Sequence, residues 1–154
     1  MNVDPDSGIW LTLVVLHGAA TWFLVGLIWT IQLIHYPSFS AIDPDRYSSF
    51  QQTHMVGMGR LIAAPWLVEG LTVLGLFVFA PTGWMRLLAT AGGLLELVVI
   101  GVTIRSSIPA HEALSTGFSD DAHKRLLRSN WMRTAAWTSR GLIALVVLVW
   151  TLQQ

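Results

Sequence analysis

The sequence has 154 residues and no cysteine, and charge is scarce: Asp, Glu, Lys and Arg together make up 12% of it. Without cysteine there is no disulfide, no thiolate zinc site, no iron–sulfur cluster and no covalently attached haem. Any cofactor has to be held by His, Asp, Glu, Asn, Met or Tyr. Nine basic residues balance nine acidic ones, so no polybasic field exists to recruit nucleic acid, and no nucleic-acid partner is expected. What the chain does have is apolar surface. It is 53% hydrophobic with 8 Trp and a mean hydropathy of +0.58, a balance that a water-soluble domain of this size could not solvate. The lipid bilayer is the expected surrounding.

Uncharged stretches locate the spans. Residues 9–34 carry no formal charge and exceed the roughly 20 residues that cross a bilayer core. Residues 61–80 are interrupted only by Glu69, residues 87–104 only by Glu96, and residues 135–152 contain Arg140 near their start. The short Pro81-Thr82-Gly83-Trp84 turn makes spans two and three an antiparallel hairpin. The acidic tail Met1 to Asp6 lacks the basic character of a secretory signal, so the first helix is expected to be retained. Asp43-Pro44-Asp45 and Ser119-Asp120-Asp121 read as helix N-caps, which start helices two and four about four turns before their spans. A short helix from Pro109, ended by Gly117, lies between spans three and four. The expected fold class is an all-α membrane protein, a four-transmembrane-helix antiparallel bundle forming one domain over 1–154, with helices two and four extended on the cytoplasmic side.

The basic residues orient it. Arg46, Arg60, Arg105, Lys124, Arg125, Arg128, Arg133 and Arg140 fall on one side and Arg86 alone on the other. By the positive-inside rule both termini are expected in the periplasm of a bacterial inner membrane.

Four histidines, His35, His54, His111 and His123, map to the cytoplasmic end. His123, beside Lys124-Arg125, reads as solvent-exposed; His35-Tyr36-Pro37 marks the exit from span one, where Tyr36 is either an interface anchor or a hydrogen-bond donor. His54, Met58, Leu61, Pro65 and Glu69 share one helix face, and Asn130, Arg133, Thr134, Trp137 and Arg140 another. Arg133 and Arg140 either belong to that face or snorkel to the headgroups. Intramembrane carboxylates are costly and mark interior sites. Glu69 and Glu96 both count to ~12 Å from the cytoplasmic ends of their spans, so they are expected to face each other, sharing a proton, binding a metal or pairing with Arg60 or Arg105. His17, about 25 Å up span one, is expected to be an interhelical hydrogen-bonding residue outside their immediate surroundings. No His-Glu-x-x-His, di-iron or phosphate-loop motif is present.

The segments Ile108-Pro109-Ala110-His111-Glu112-Ala113-Leu114 and Asn130-Trp131-Met132-Arg133-Thr134, with the four-span layout, resemble the anthrone-oxygenase-like membrane proteins. Those show Pro-x-Asn-x-x-Leu and Asn-x-x-Arg-Thr there; the second motif matches through Asn130, Arg133 and Thr134, and the first departs with His111 in place of asparagine. His35-Tyr36-Pro37-Ser38-Phe39 with the helix-four segment also resembles a group of bacterial four-helix integral membrane proteins that carries a fold and no function.

These residues support two readings of function. In the first, a cytoplasmic-side pocket holds a hydrophobic aromatic or quinone-like molecule for oxygenase-type or redox chemistry. His54, His111, Arg133 and Asn130 are its catalytic candidates, and His35, Tyr36 and Trp131 hold the ligand. A metal ion, if used, is held among His35, His54, His111, Glu69 and Glu96. In the second, the chain is a non-catalytic accessory subunit or assembly factor of a larger membrane complex, or a homo-oligomer, in which Glu69 and Glu96 pair with a neighbour's arginines.

Overall fold

A computed structural model describes residues 5–154, with side chains from Gly8 onward; most of the acidic tail lies outside these. Among the described residues four helical rods are long and apolar enough to cross a membrane, as the uncharged stretches require. The fold is an all-α four-helix membrane bundle. Helix α1 (Pro5–Thr30), α2 (Pro44–Val78), α3 (Gly83–Val102), α4 (Ile108–Ser115) and α5 (Asp120–Leu152) succeed one another along the chain. The first and third rods are α1 and α3 with their continuations, α3 running on into α4. Each of α1 and α3 packs on both α2 and α5.

Side chains start the helices where the sequence says they should. The Asp43 carboxylate accepts from Asp45 N at 2.9 Å, with Pro44 in the first turn, and Ser119 Oγ accepts from Ala122 N at 3.4 Å, each supplying an acceptor to an otherwise orphaned amide. Thr82 caps α3 in the same way through Met85 N. After α4 the chain turns at Gly117, whose φ of +142° suits only glycine.

Two interruptions of the rods decide where polar side chains point. Residues Ile31–His35 and Thr103–Ser107 form π-helical turns, seen in the Tyr36 N to Ile31 O bond of 2.9 Å. Each turn is followed by a proline, Pro37 or Pro109. A proline ring clashes with the carbonyl four residues back, here Leu33 and Arg105, which lie inside the two turns. Widening the helix by one residue relieves that clash and rotates the next side chains, Tyr36 and His111, toward the interior.

The rods pack by close approach as well as by apolar filling. A Cβ on Gly141 of α5 would meet Val25 Cγ2 of α1 at 3.2 Å, so glycine sets that helix separation. Trp10 Nε1 donates to Thr151 Oγ1 at 2.9 Å and Trp29 Nε1 to Thr138 Oγ1 at 3.1 Å, pinning α1 to α5 at two levels. Apolar clusters around Met85 and Leu126 fill the two ends, and one around Val99 fills the middle.

Candidate functional site: a pocket at the basic end of the bundle

Among the described residues two main polar groups lie inside the bundle, divided by the indoles of Trp66 and Trp137, which bond to the first group and line the cavity of the second. The deeper one gathers Glu69, Glu96 and Arg140. Arg140 Nη2 lies 3.0 Å from Glu69 Oε1, and Nη1 lies 3.1 Å from Glu96 Oε2. Arg140 Nη1 also donates to the Gly92 carbonyl, Trp137 Nε1 to Glu69 Oε2 at 3.0 Å, and Trp66 Nε1 to Glu96 Oε1. The expectation that the two glutamates face each other is met. Their expected partners are not: Arg60 and Arg105 are exposed, and Arg140, which is 1% exposed, does not snorkel. A face of α5 repeating at three-four spacing buries Asn130, Arg133, Thr134, Trp137 and Arg140 together, which carries the guanidinium inward. On α2 the matching face is broken at Leu61, which is exposed; Ile62 takes the inward place.

His17 makes an interhelical hydrogen bond, as expected, but it does not stand apart from the deeper group: it lines a small cavity together with Arg140 and Gly92. Thr72 Oγ1 donates to the backbone oxygens of Val68 and Glu69, so His17 Nδ1–H donates to Thr72 Oγ1, at 2.9 Å.

The second group surrounds a cavity of about 470 Å³ near the basic end, among α1, α2, α4 and α5. Its polar wall is Tyr36, His54, His111 and Arg133; Leu24, Ile28, Met55, Met58, Trp66 and Trp137 are among the apolar residues that line the rest. That size and division of polar and apolar lining suit a small hydrophobic ligand. Gly59, Ile108 and Glu112 line the cavity and are exposed, which places its mouth between α2 and α4.

Hydrogen bonds settle which atoms are engaged. Gln51 Nε2 lies 2.8 Å from His111 Nδ1 and also points to the His111 carbonyl at 3.4 Å. A carbonyl only accepts, so the amide presents its NH₂, Nδ1 accepts, and the proton of His111 sits on Nε2. His111 Nε2–H therefore donates to the Tyr36 hydroxyl at 3.0 Å. Arg133 Nη2 donates to the same oxygen at 3.3 Å and to Asn130 Oδ1 at 2.6 Å. Asn130 is in turn fixed by donating to Gln32 Oε1 at 2.8 Å. With two donors on its oxygen, Tyr36 has its own O–H free to donate. Among the described residues Arg133 Nε is buried with no partner, and Nη1 bonds to no protein group.

His54 differs from His111. Its Nδ1 pairs with His35 Nε2 at 2.8 Å, and its Nε2 bonds to no protein group among the described residues. His54 and His111 lie in the helical extensions beyond spans 61–80 and 87–104. Burial, reinforced by the neighbouring His35, pushes the His54 imidazole down to about 4. Burial, with His54 and Arg133 nearby, pushes His111 down to about 3. Both rings are neutral at pH 7.

The sequence-derived candidates thus divide. Tyr36, His54, His111 and Arg133 line the cavity, while His35 stands behind His54 and Asn130 behind Arg133. Tyr36 is 3% exposed and is no interface anchor. Trp131 is on the outer surface, 48% exposed and edge-on to Trp29 at 5.6 Å; one position after Asn130 on a helix points about 100° away. Glu69 and Glu96 belong to the deeper group, so the five-residue metal set does not exist as one site. Among the described residues no three His, Asp or Glu side chains are arranged to hold a metal ion. His123 corrects another expectation: it is buried, and its Nε2–H donates to the Tyr36 carbonyl at 2.8 Å, an oxygen that also accepts from Phe39 N at 3.2 Å. Gln32 and Gln51 carry no signal that sequence reasoning picks out, although Gln51 lies one turn before His54 on the same face.

Comparison with known protein families, with curated proteins and with solved structures finds no match.

Proposed function

We propose that this chain is a multi-pass protein of a bacterial inner membrane, with both termini periplasmic, whose pocket at the cytoplasmic end holds a hydrophobic aromatic or quinone-like molecule. The observation that carries the reading is Arg133. Its guanidinium lines an otherwise largely apolar cavity, is 8% exposed, makes no ion pair within 4.0 Å among the described residues, and has an Nη1 that bonds to no protein group among them. A buried donor left unpaired costs roughly 1–3 kcal/mol. A ligand oxygen, a phenolate or a quinone carbonyl, removes that cost. The free O–H of Tyr36 supplies a second hydrogen bond to the same kind of oxygen.

The residues suit the proton side of oxygenase-type or redox chemistry, which is also the chemistry implied by the resemblance to anthrone-oxygenase-like proteins. His54 Nε2 faces the cavity and can take a proton from a phenol. Its Nδ1 then hands a proton to His35 Nε2, and His35 is half-buried, nearer solvent. His111, with both nitrogens occupied, holds Tyr36 in place. Arg133 and Tyr36 bind the oxygen, and Asn130 positions Arg133.

The accessory-subunit reading draws on unpaired intramembrane carboxylates. Arg140 of the same chain meets that need. The proposal is tested by titrating a substituted naphthoquinone against the purified protein, read by quenching of tryptophan fluorescence. Saturable binding lost in both His54→Ala and Arg133→Ala, with helicity retained, supports it; wild-type binding in both variants rejects it.

A further inference from the structure

A second groove, of about 680 Å³, lies between α2 and α3 in the lipid-embedded part of the bundle. Its walls are mostly apolar, with Thr90 and the buried Glu96 also in the lining, and its leucines face outward: Leu67, Leu71 and Leu74 on α2, Leu94 and Leu97 on α3 are each 60% exposed or more. The groove and the pocket meet at Trp66, which lines both. The pocket uses α2 from His54 to Trp66 and the groove uses it from Ala63 to Phe77. They lie end to end along the α2 side of the bundle, a trough of about 35 Å at 1.5 Å per residue with the Trp66 side chain between its two parts.

Two glycines keep the groove open. Gly70 on α2 and Gly93 on α3 both line it, and a Cβ built on either meets nothing within 4 Å. Small residues in membrane helices ordinarily let two backbones approach. These two instead face empty space, although glycine disfavours a helix by about 1 kcal/mol relative to alanine.

Resting on the proposed role of the pocket, we infer that the ligand is a long-chain amphiphile of the quinone or phenol class, its head at Tyr36 and Arg133 and its apolar tail laid along the Gly70–Gly93 groove. The polar head then lies in the one part of the trough with hydrogen-bond donors to spare, and the tail in the part walled by leucine. A small soluble aromatic would fill only the pocket.

The test compares two probes, a methylated benzoquinone without a chain and the same benzoquinone bearing a ten-carbon chain. Each is titrated by tryptophan quenching into wild type and into the double variant Gly70→Leu/Gly93→Leu. A Cβ meets no neighbour at either position and leucine favours helix over glycine, and the two single variants serve as further checks on folding. The wild type is expected to bind the tailed probe about tenfold more tightly than the tail-less one. In the double variant that margin disappears while binding of the tail-less probe is unchanged, and each single variant loses part of it. If the tail-less probe binds and the tailed probe shows the same affinity in wild type and double variant, the groove is covered by bulk lipid and the inference fails while the pocket reading stands. If neither probe binds wild type, both fail together.

Discussion

Arg140 Nη2 and Glu69 Oε1 lie 3.0 Å apart, and neither side chain is exposed at all. A charge pair in this position has been stripped of water on both sides, so its worth depends on every partner staying in place. Glu96, Trp66, Trp137 and the Gly92 carbonyl complete the surroundings of that pair. Removing the guanidinium alone leaves two carboxylates facing each other in the bundle.

Arg140→Leu is therefore expected to destabilise the protein by about 3–5 kcal/mol, seen as a large drop in the detergent melting temperature. Adding Glu69→Leu and Glu96→Gln to Arg140→Leu restores much of it, because no unpaired charge remains. A single variant as stable as wild type would show that the guanidinium is not a structural partner.

Tyr36→Phe removes the oxygen shared by His111 and Arg133. It leaves a buried His111 Nε2–H without an acceptor, which costs about 1–3 kcal/mol, and it weakens binding of a quinone or phenol by about tenfold. Thermal melting and ligand titration of the same sample separate the two effects. Unchanged stability together with unchanged affinity would contradict the hydrogen-bond assignment.

Much of the fold is legible in the sequence, and the reasons for what is not are local. The spans come from runs without charge, the caps from Asp43 and Ser119, and the shared depth of Glu69 and Glu96 from counting helical rise. Arg140 stands near the start of an uncharged run and so resembles a boundary residue; only the three-four face of α5 shows that it turns inward. Pro37 and Pro109 announce a break but not its kind, and the π turns they produce decide where Tyr36 and His111 point. The basic neighbours of His123 suggest exposure, whereas its partner, the Tyr36 carbonyl, is 87 residues away. Trp131 shares a motif with Asn130 but not a helix face.

Arg133→Lys keeps the positive charge and loses the planar guanidinium with its unbonded Nη1 donor. Binding of a quinone or phenolate is expected to fall about tenfold or more while the fold is kept, since Arg133 makes no ion pair among the described residues. Equal affinity in the lysine variant would mean that charge alone holds the ligand, and the guanidinium's own donors would have no part in it.

Acid should loosen the basic end of the bundle. His54 and His111 titrate at 6.5 when unfolded and at about 4 and about 3 when folded, so the unfolded chain binds their protons first. Stability is then fully present above pH 6.5 and declines as pH falls from there toward 4, continuing to about 3 through His111. Melting curves from about pH 7.5 down to about 4 check this, with a His54→Gln/His111→Gln variant expected to show a shallower decline. An identical slope in that variant would place the acid sensitivity elsewhere.

The most direct measurement is where the ligand sits. A naphthoquinone carrying a photoactivatable diazirine is irradiated with the purified protein, and the adducts are mapped by peptide mass spectrometry with and without excess unlabelled quinone. Competable labelling of Tyr36, Met55, Met58 or Ile108, absent in Arg133→Ala, is the predicted result. Labelling spread over the lipid-facing leucines, unaffected by competitor or by the substitution, would contradict the pocket as the ligand site.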